Sequence, residues 1–194
     1  EHSEGVLAAS ACLGGVYAGN YWENVEKGED AVVEAMRETT RRMQEIFGDR
    51  WYGELQWNNV PAQHELNKYI IRMSKECGFK LISTADSHYP SPTAWKDREL
   101  YKRLGWLGKG GMPSWMSPEL PAGLDKIGYE LYPKNGDQMW ESYKKYSEEC
   151  GFEYDDEIVM KSITDTYDIA HNQIEDFLPD NTVRLPDFVV PPGH

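Results

Sequence analysis

The alternation of apolar strand-like runs and amphipathic helical runs between residues 6 and 84 constrains this chain most. Residues 6–12 (Val-Leu-Ala-Ala-Ser-Ala-Cys) are small and apolar and stop at Leu13-Gly14-Gly15, which reads as a buried strand entering a tight turn. Residues 16–27 read as a loop or irregular helix carrying Trp22. Gly28-Glu29-Asp30 opens a helix in which Val32, Met36, Met43 and Phe47 recur near helical spacing, with acidic residues in its first turn and Gly48-Asp49 at its end. Residues 51–56 read as a second strand, with Tyr52, Glu54 and Gln56 on one side. Pro61 starts the next helix, its apolar face is Leu66, Ile70, Met73 and Cys77, and Gly78 stops it. Residues 79–84 form the third strand. Strand, helix, strand, helix, strand in that order implies an α/β fold with a parallel sheet and crossover helices.

The third strand leads into Ala85-Asp86-Ser87-His88-Tyr89-Pro90. Residues two apart in an extended segment point to the same side, so Asp86 and His88 can converge on one metal ion. Carboxylate oxygen with imidazole nitrogen suits zinc, manganese or iron. In β/α proteins ligands gather at the carboxyl ends of the strands, which is where this pair lies. Cys12 ends the first strand in the same way, and Glu54 or Gln56 ends the second, so topology would bring these residues near one end of the sheet. Simpler readings stand beside these. Asp86 can cap a turn with His88 on the surface, Cys12 can be a small buried hydrophobe, and Glu54 can be a strand residue hydrogen-bonded at the sheet end. His2 and His64 read as surface residues, His171 lies on a late helix, and His194 is terminal.

The chain has 194 residues, enough for one domain with a sizeable core. Its 33 acidic against 20 basic residues give a net charge of −13, a poor electrostatic footprint for holding DNA directly. Three widely spaced cysteines fit a reducing cytoplasm better than a disulfide scaffold, and neither a membrane-spanning run nor a signal-peptide pattern is present. The first residues contain no initiator Met and run straight into a strand, as expected of an internal piece of a longer protein.

After Pro92 the pattern changes. Residues 93–104 look helical, with Trp95, Leu100, Tyr101 and Leu104. Residues 105–123 are rich in Gly, Pro and Trp and read as a long loop and contact surface. Residues 129–132 suit a short strand. Asn135-Gly136-Asp137 caps a helix that runs to Cys150 with Met139, Tyr143 and Tyr146 inward, and Asp155 or Asp156 caps another that carries Ile158, Ile163, Tyr167, Ile169, Ala170 and Ile174. From Leu178 onward, four prolines make an extended tail.

Several of these segments together resemble a known family. Ser10-Ala11-Cys12-Leu13-Gly14-Gly15, Phe47-Gly48-Asp49, Tyr52-Gly53-Glu54-Leu55-Gln56 and Ser83-Thr84-Ala85-Asp86-Ser87-His88-Tyr89 occur in the order and spacing of the polymerase-and-histidinol-phosphatase (PHP) domain of bacterial C-family DNA polymerases, the alpha subunits of DNA polymerase III. Tyr129-Glu130-Leu131-Tyr132-Pro133-Lys134 with Asp137-Gln138-Met139 is similar to the segment after that barrel. Residues 163–170 resemble its Asn-Thr-x-x-Ile-Ala helix, with Asp165 where Asn is usual, and Leu185-Pro186-Asp187-Phe188 resembles the entry to the palm.

The resemblance implies a partial, distorted β/α barrel over residues 1–92, a barrel end and helical connection over 93–177, and a linker toward the palm over 178–194. It implies metal ligands at Cys12, Asp86 and His88, holding zinc or manganese in a site that supports 3′-5′ exonuclease proofreading in some members. It implies DNA and other replisome subunits as partners of the parent polymerase. The family's opening His-x-His and its middle His and Glu ligands have no counterpart in this sequence, and its polymerising carboxylates belong beyond residue 194, so the resemblance assigns polymerase activity to the parent. A stand-alone PHP phosphoesterase and a non-catalytic PHP module are the alternatives.

Overall fold

The computed structural model describes residues 3–107, 130–175 and 181–182. Three parallel strands lie side by side in the order of the chain: β1 (Ala8–Ala9), β2 (Trp51–Gln56) and β3 (Lys80–Thr84). The register pairs Ala9 with Tyr52, Glu54 with Ile82 and Gln56 with Thr84. Parallel neighbours need crossovers, and two long helices supply them: α2 (Glu29–Phe47) between β1 and β2, and α3 (Pro61–Cys77) between β2 and β3. α1 (Val16–Asn24) precedes α2. Thus residues 16–24, expected as a loop or irregular helix, form a regular helix followed by a 3₁₀ turn, Val25–Lys27.

The helical period explains the packing. Val32 and Met36 on α2 and Leu66, Ile70 and Met73 on α3 are fully buried, each contributing about 1.5–3 kcal/mol through burial. They meet Trp51 and Leu55 of β2, with Tyr17 of α1 closing the layer. The Tyr17 hydroxyl shares a 2.6 Å hydrogen bond with Thr40 and accepts one from the Trp51 indole at 3.3 Å. Gly53 lies where this layer is tightest, since a Cβ there would come within 2.6 Å of Phe79, 2.7 Å of Ile70 and 2.9 Å of Leu81. Gly78 ends α3 in the left-handed conformation, at φ 77°, which glycine adopts without steric cost.

β1 is shorter than the strand expected over residues 6–12. Its ladder continues only to Ser10, whose amide donates to the Tyr52 carbonyl at 3.0 Å. Ala11 then turns left-handed at φ 60°, taking Cys12 out of the strand and into the turn. Downstream, α4 (Trp95–Leu107) runs three residues past the expected helix end at Leu104. α5 (Gly136–Cys150) begins with a reciprocal cap: the Asn135 side chain accepts from the Gln138 amide at 2.9 Å, and the Gln138 side chain accepts from the Asn135 amide at 3.0 Å. α6 (Asp156–Asp168) is capped by Asp155 and passes into a π turn, Ile169–Gln173.

α6 packs directly on β3. Thr166 Oγ1 accepts from the Ser83 amide at 3.1 Å and donates to the Ser83 carbonyl at 3.0 Å, while Ser83 Oγ bonds Ser162 Oγ at 2.7 Å and accepts from the Trp57 indole at 3.0 Å. A helix side chain therefore satisfies the outer edge of β3, where a further strand of a barrel would pair. The described strands form an open three-stranded sheet, and no closed barrel is present among the described residues. The buried face of α6 is Val159 and Ser162, flanked by Ile158 and Ile163. Tyr167 and Ile174, expected on the apolar face, are exposed. Glu130, Leu131 and Tyr132, expected in a short strand, form none. The expected 105–123 loop from residue 108 on, and the expected tail except residues 181–182, lie outside the described residues. Among the described residues no helix is long and apolar enough to cross a membrane.

Candidate metal centre at the strand ends

Because the sheet is parallel, the carboxyl ends of its strands share one edge, and all the singled-out residues follow or occupy those ends. Glu54 and Gln56 stand on the same side of β2, as their spacing predicts. Glu54 Oε1 accepts from the Gln56 amide side chain at 3.0 Å and from Thr84 Oγ1 at 2.5 Å, tying β2 to the end of β3. This is the simpler role weighed for Glu54, a strand residue hydrogen-bonded at the sheet end. Ser10 adds a third tie, its buried hydroxyl accepting from the Glu54 amide at 2.8 Å.

Asp86 and His88 come together beyond β3. Asp86 has φ 46°, a left-handed conformation that Asp tolerates better than most side chains. Its carbonyl oxygen lies 2.6 Å from His88 Nδ1, and its carboxylate 3.9 Å from the same nitrogen. With Nδ1–H committed to a carbonyl, Nε2 carries the lone pair, the orientation that metal-binding histidines adopt. His88 is 44% and Asp86 31% exposed at the side chain, so both are open to solvent. Cys12 lies past β1, two strands across, where its sulfur accepts from the Gly14 amide at 3.5 Å. Both non-glycine residues with positive φ among the described residues, Ala11 and Asp86, immediately flank this edge.

The donor set fits zinc in kind, as thiolate, carboxylate and imidazole, whereas for manganese the Asp86 carboxylate fits and the soft Cys12 thiolate does not. In number it falls short, because among the described residues no three His, Cys, Asp or Glu side chains gather closely enough to hold a metal ion. Asp86 and His88 form a pair, and Cys12 is not brought into it.

His64 corrects an expectation. Read as a surface residue, it is fully buried. Its ring stacks on Phe152 with centroids 5.2 Å apart, Nδ1 lies 2.9 Å from the Tyr154 hydroxyl, and Nε2 lies 2.9 Å from the Asn58 carbonyl. Burial pushes its pKa below the usual histidine value, against an opposing pull from the Asn58 carbonyl. It is a core residue with both nitrogens engaged.

Sequence reasoning missed the group that holds the Asp86–His88 turn from behind. The Leu131 carbonyl accepts from the amides of His88 at 2.8 Å and Tyr89 at 3.2 Å, and the Leu131 amide donates to the Tyr89 hydroxyl at 2.8 Å. The one available signal was the Glu130–Lys134 spacing, which places opposite charges four residues apart around Leu131.

No family model matches the chain. It is similar to DNA polymerase III subunit alpha of Aquifex aeolicus, at 30% identity over 195 residues, covering 99% of this chain and 15% of that protein. The same-named protein of Campylobacter jejuni is 29% identical over 147 residues, 74% of this chain and 12% of that protein. That of Helicobacter pylori strain J99 is 35% identical over 103 residues, 52% of this chain and 8% of that protein. The chain thus spans no more than 15% of the length of these relatives, and the Aquifex aeolicus protein matches it across nearly its whole extent.

Proposed function

We propose that this chain is part of a replicative DNA polymerase alpha subunit and contributes the later part of its PHP domain. The observation that carries this reading is the 30% identity to a DNA polymerase III subunit alpha over 99% of the chain. On this reading residues 1–92 belong to the PHP barrel, 93–177 to its end and the helical connection, and 178–194 to the approach to the palm. DNA and the other replisome subunits are partners of the whole polymerase. Asp86 and His88 supply a carboxylate and an imidazole to a zinc or manganese site, with Cys12 as a further ligand from the end of β1, two strands across. A metal there would lower the pKa of bound water and neutralise charge on a scissile phosphate, the chemistry of 3′-5′ exonuclease proofreading. The chain's own part is to fix His88 with Nε2 bare and to hold Asp86 beside it. The lack of a three-donor group among the described residues favours a second reading, a PHP module kept for structure alone.

Two measurements test these readings. The product of the whole reading frame should extend a primed DNA template, and failure to extend it would remove the polymerase assignment. Zinc and manganese content, measured in the wild type and in Asp86→Ala and His88→Ala, should fall in both variants. Unchanged content in both would leave only the structural module.

A further inference from the structure

The segment behind the Asp86–His88 turn contains a buried charge. The Lys134 side chain is only 2% exposed. Its ammonium donates to Ser142 Oγ on α5 at 2.6 Å and to Glu130 Oε2 at 3.2 Å. Glu130 is bonded in turn by Lys145 at 3.2 Å and by the Tyr146 hydroxyl, both on α5. Burial pushes Lys134 below the usual lysine range, with Glu130 opposing it. Burial pushes Glu130 up, but Tyr146, Lys134 and Lys145 together hold it below the usual carboxylate range. The cluster is therefore an ion pair bound to α5 at three points, and breaking a buried pair costs far more than an exposed one.

Between Glu130 and Lys134 lies Leu131, whose carbonyl receives two successive amides from the turn. Tyr89 closes the loop, its hydroxyl accepting from the Leu131 amide at 2.8 Å. Leu131 and Tyr89 are both buried, so these bonds are shielded from water. The path from α5 to the turn is thus continuous: Ser142 and Tyr146, then Lys134 and Glu130, then the Leu131 carbonyl, then the His88 and Tyr89 backbone.

We propose that Lys134 is a positioning residue for His88, fixing the Leu131 carbonyl against α5 so that the Asp86–His88 turn keeps one backbone conformation. The extension of this role to metal binding rests on the metal-site reading given above. Ligands held by a supporting shell lose 10- to 100-fold in metal affinity when that shell is removed.

The test uses the product of the whole reading frame and compares wild type with Lys134→Met, which keeps the apolar stem and removes the ammonium. Amide hydrogen exchange of His88 and Tyr89 should quicken about 10-fold relative to Leu81 and Ile82 on β3. A merely structural loss would quicken all four together. Ser142→Ala, which removes one acceptor of the Lys134 ammonium, should quicken the same two amides about threefold, and it decides the matter if Lys134→Met does not fold. Exchange at His88 and Tyr89 that keeps pace with β3 overturns the proposal. Zinc affinity, measured by chelator competition, should fall at least 10-fold in Lys134→Met, and equal affinities also overturn it. A wild type that takes up no zinc removes the metal reading instead, and the exchange ratio alone then decides the role of Lys134.

Discussion

His64 and His88 each follow the carboxyl end of a strand, and their surroundings differ in every respect that governs histidine chemistry. The His64 ring lies among Trp57, Phe152 and Tyr154, without solvent exposure, and a hydrogen bond engages each nitrogen. His88 is nearly half exposed and commits only Nδ1, to the Asp86 carbonyl. A fully bonded, dry imidazole can give and take nothing without breaking the core. A half-bonded, wet one beside a carboxylate can accept a metal or a proton at its free nitrogen. Aromatic packing turns one histidine into scaffold, and a left-handed turn presents the other to solvent.

The largest effect should come from emptying the His64 cage. Trp57 is 3% exposed, packs on Tyr143 and Tyr154, and donates to Ser83. Trp57→Ala should cost about 3–5 kcal/mol in urea unfolding. His88→Ala, at an exposed position, should stay within about 0.5 kcal/mol of wild type, whereas Asp86→Ala puts an alanine at φ 46° and should cost about 1–2 kcal/mol. A cost for His88→Ala as large as that for Trp57→Ala would break the contrast, because it would make both histidines scaffold.

A smaller effect concerns pH. The folded-state pKa of His64 is depressed by burial, so below about pH 6.5 the unfolded chain binds a proton at His64 that the folded chain refuses. The unfolded state then holds more protons, and stability falls as pH drops through that value and continues to fall toward the folded pKa. Above the unfolded value this contribution is constant. His64→Gln should start from lower stability at neutral pH and lose less of it between pH 7 and 5. Parallel losses in wild type and variant, measured by urea midpoints across that range, would show that His64 is not the group being titrated.

What the sequence reveals of this contrast depends on the range of the cause. α2 and α3 could be placed because Val32, Met36, Leu66, Ile70 and Met73 repeat with the helical period and Gly78 marks an end, all within one element. The cap at Asn135 is equally local. α1 reads in the sequence only as a loop or irregular helix because just Tyr17 and Ala18 of its nine residues are fully buried, too few to set a helical period. His64 was misplaced because Phe152 and Tyr154, nearly ninety residues further on, bury it. The Asp86–His88 pair was singled out on the premise of an extended segment, but a left-handed turn at Asp86 is what brings the two together, and the clamp at Leu131 had no signal because a backbone carbonyl has no sequence signature. Thr84 bonding Glu54 lies between these cases: the residues sit at adjacent strand ends, but only the register brings them together.

The smallest predicted effect tests whether the strand-end edge holds strain that the His64 cage lacks. Ala11, beside Cys12, has φ 60°, and an alanine pays about 1–2 kcal/mol in that region. Ala11→Gly removes this cost but gives the unfolded chain extra freedom worth about 0.4–1 kcal/mol. The variant should therefore gain about 0.5 kcal/mol or slightly more in urea unfolding. If the strained turn also holds Cys12 for metal binding, the same variant should retain zinc less well, so stability and retention should move in opposite directions. A loss of stability would mean that the turn at Ala11 is relaxed, and the edge would then differ from the core in solvent exposure alone.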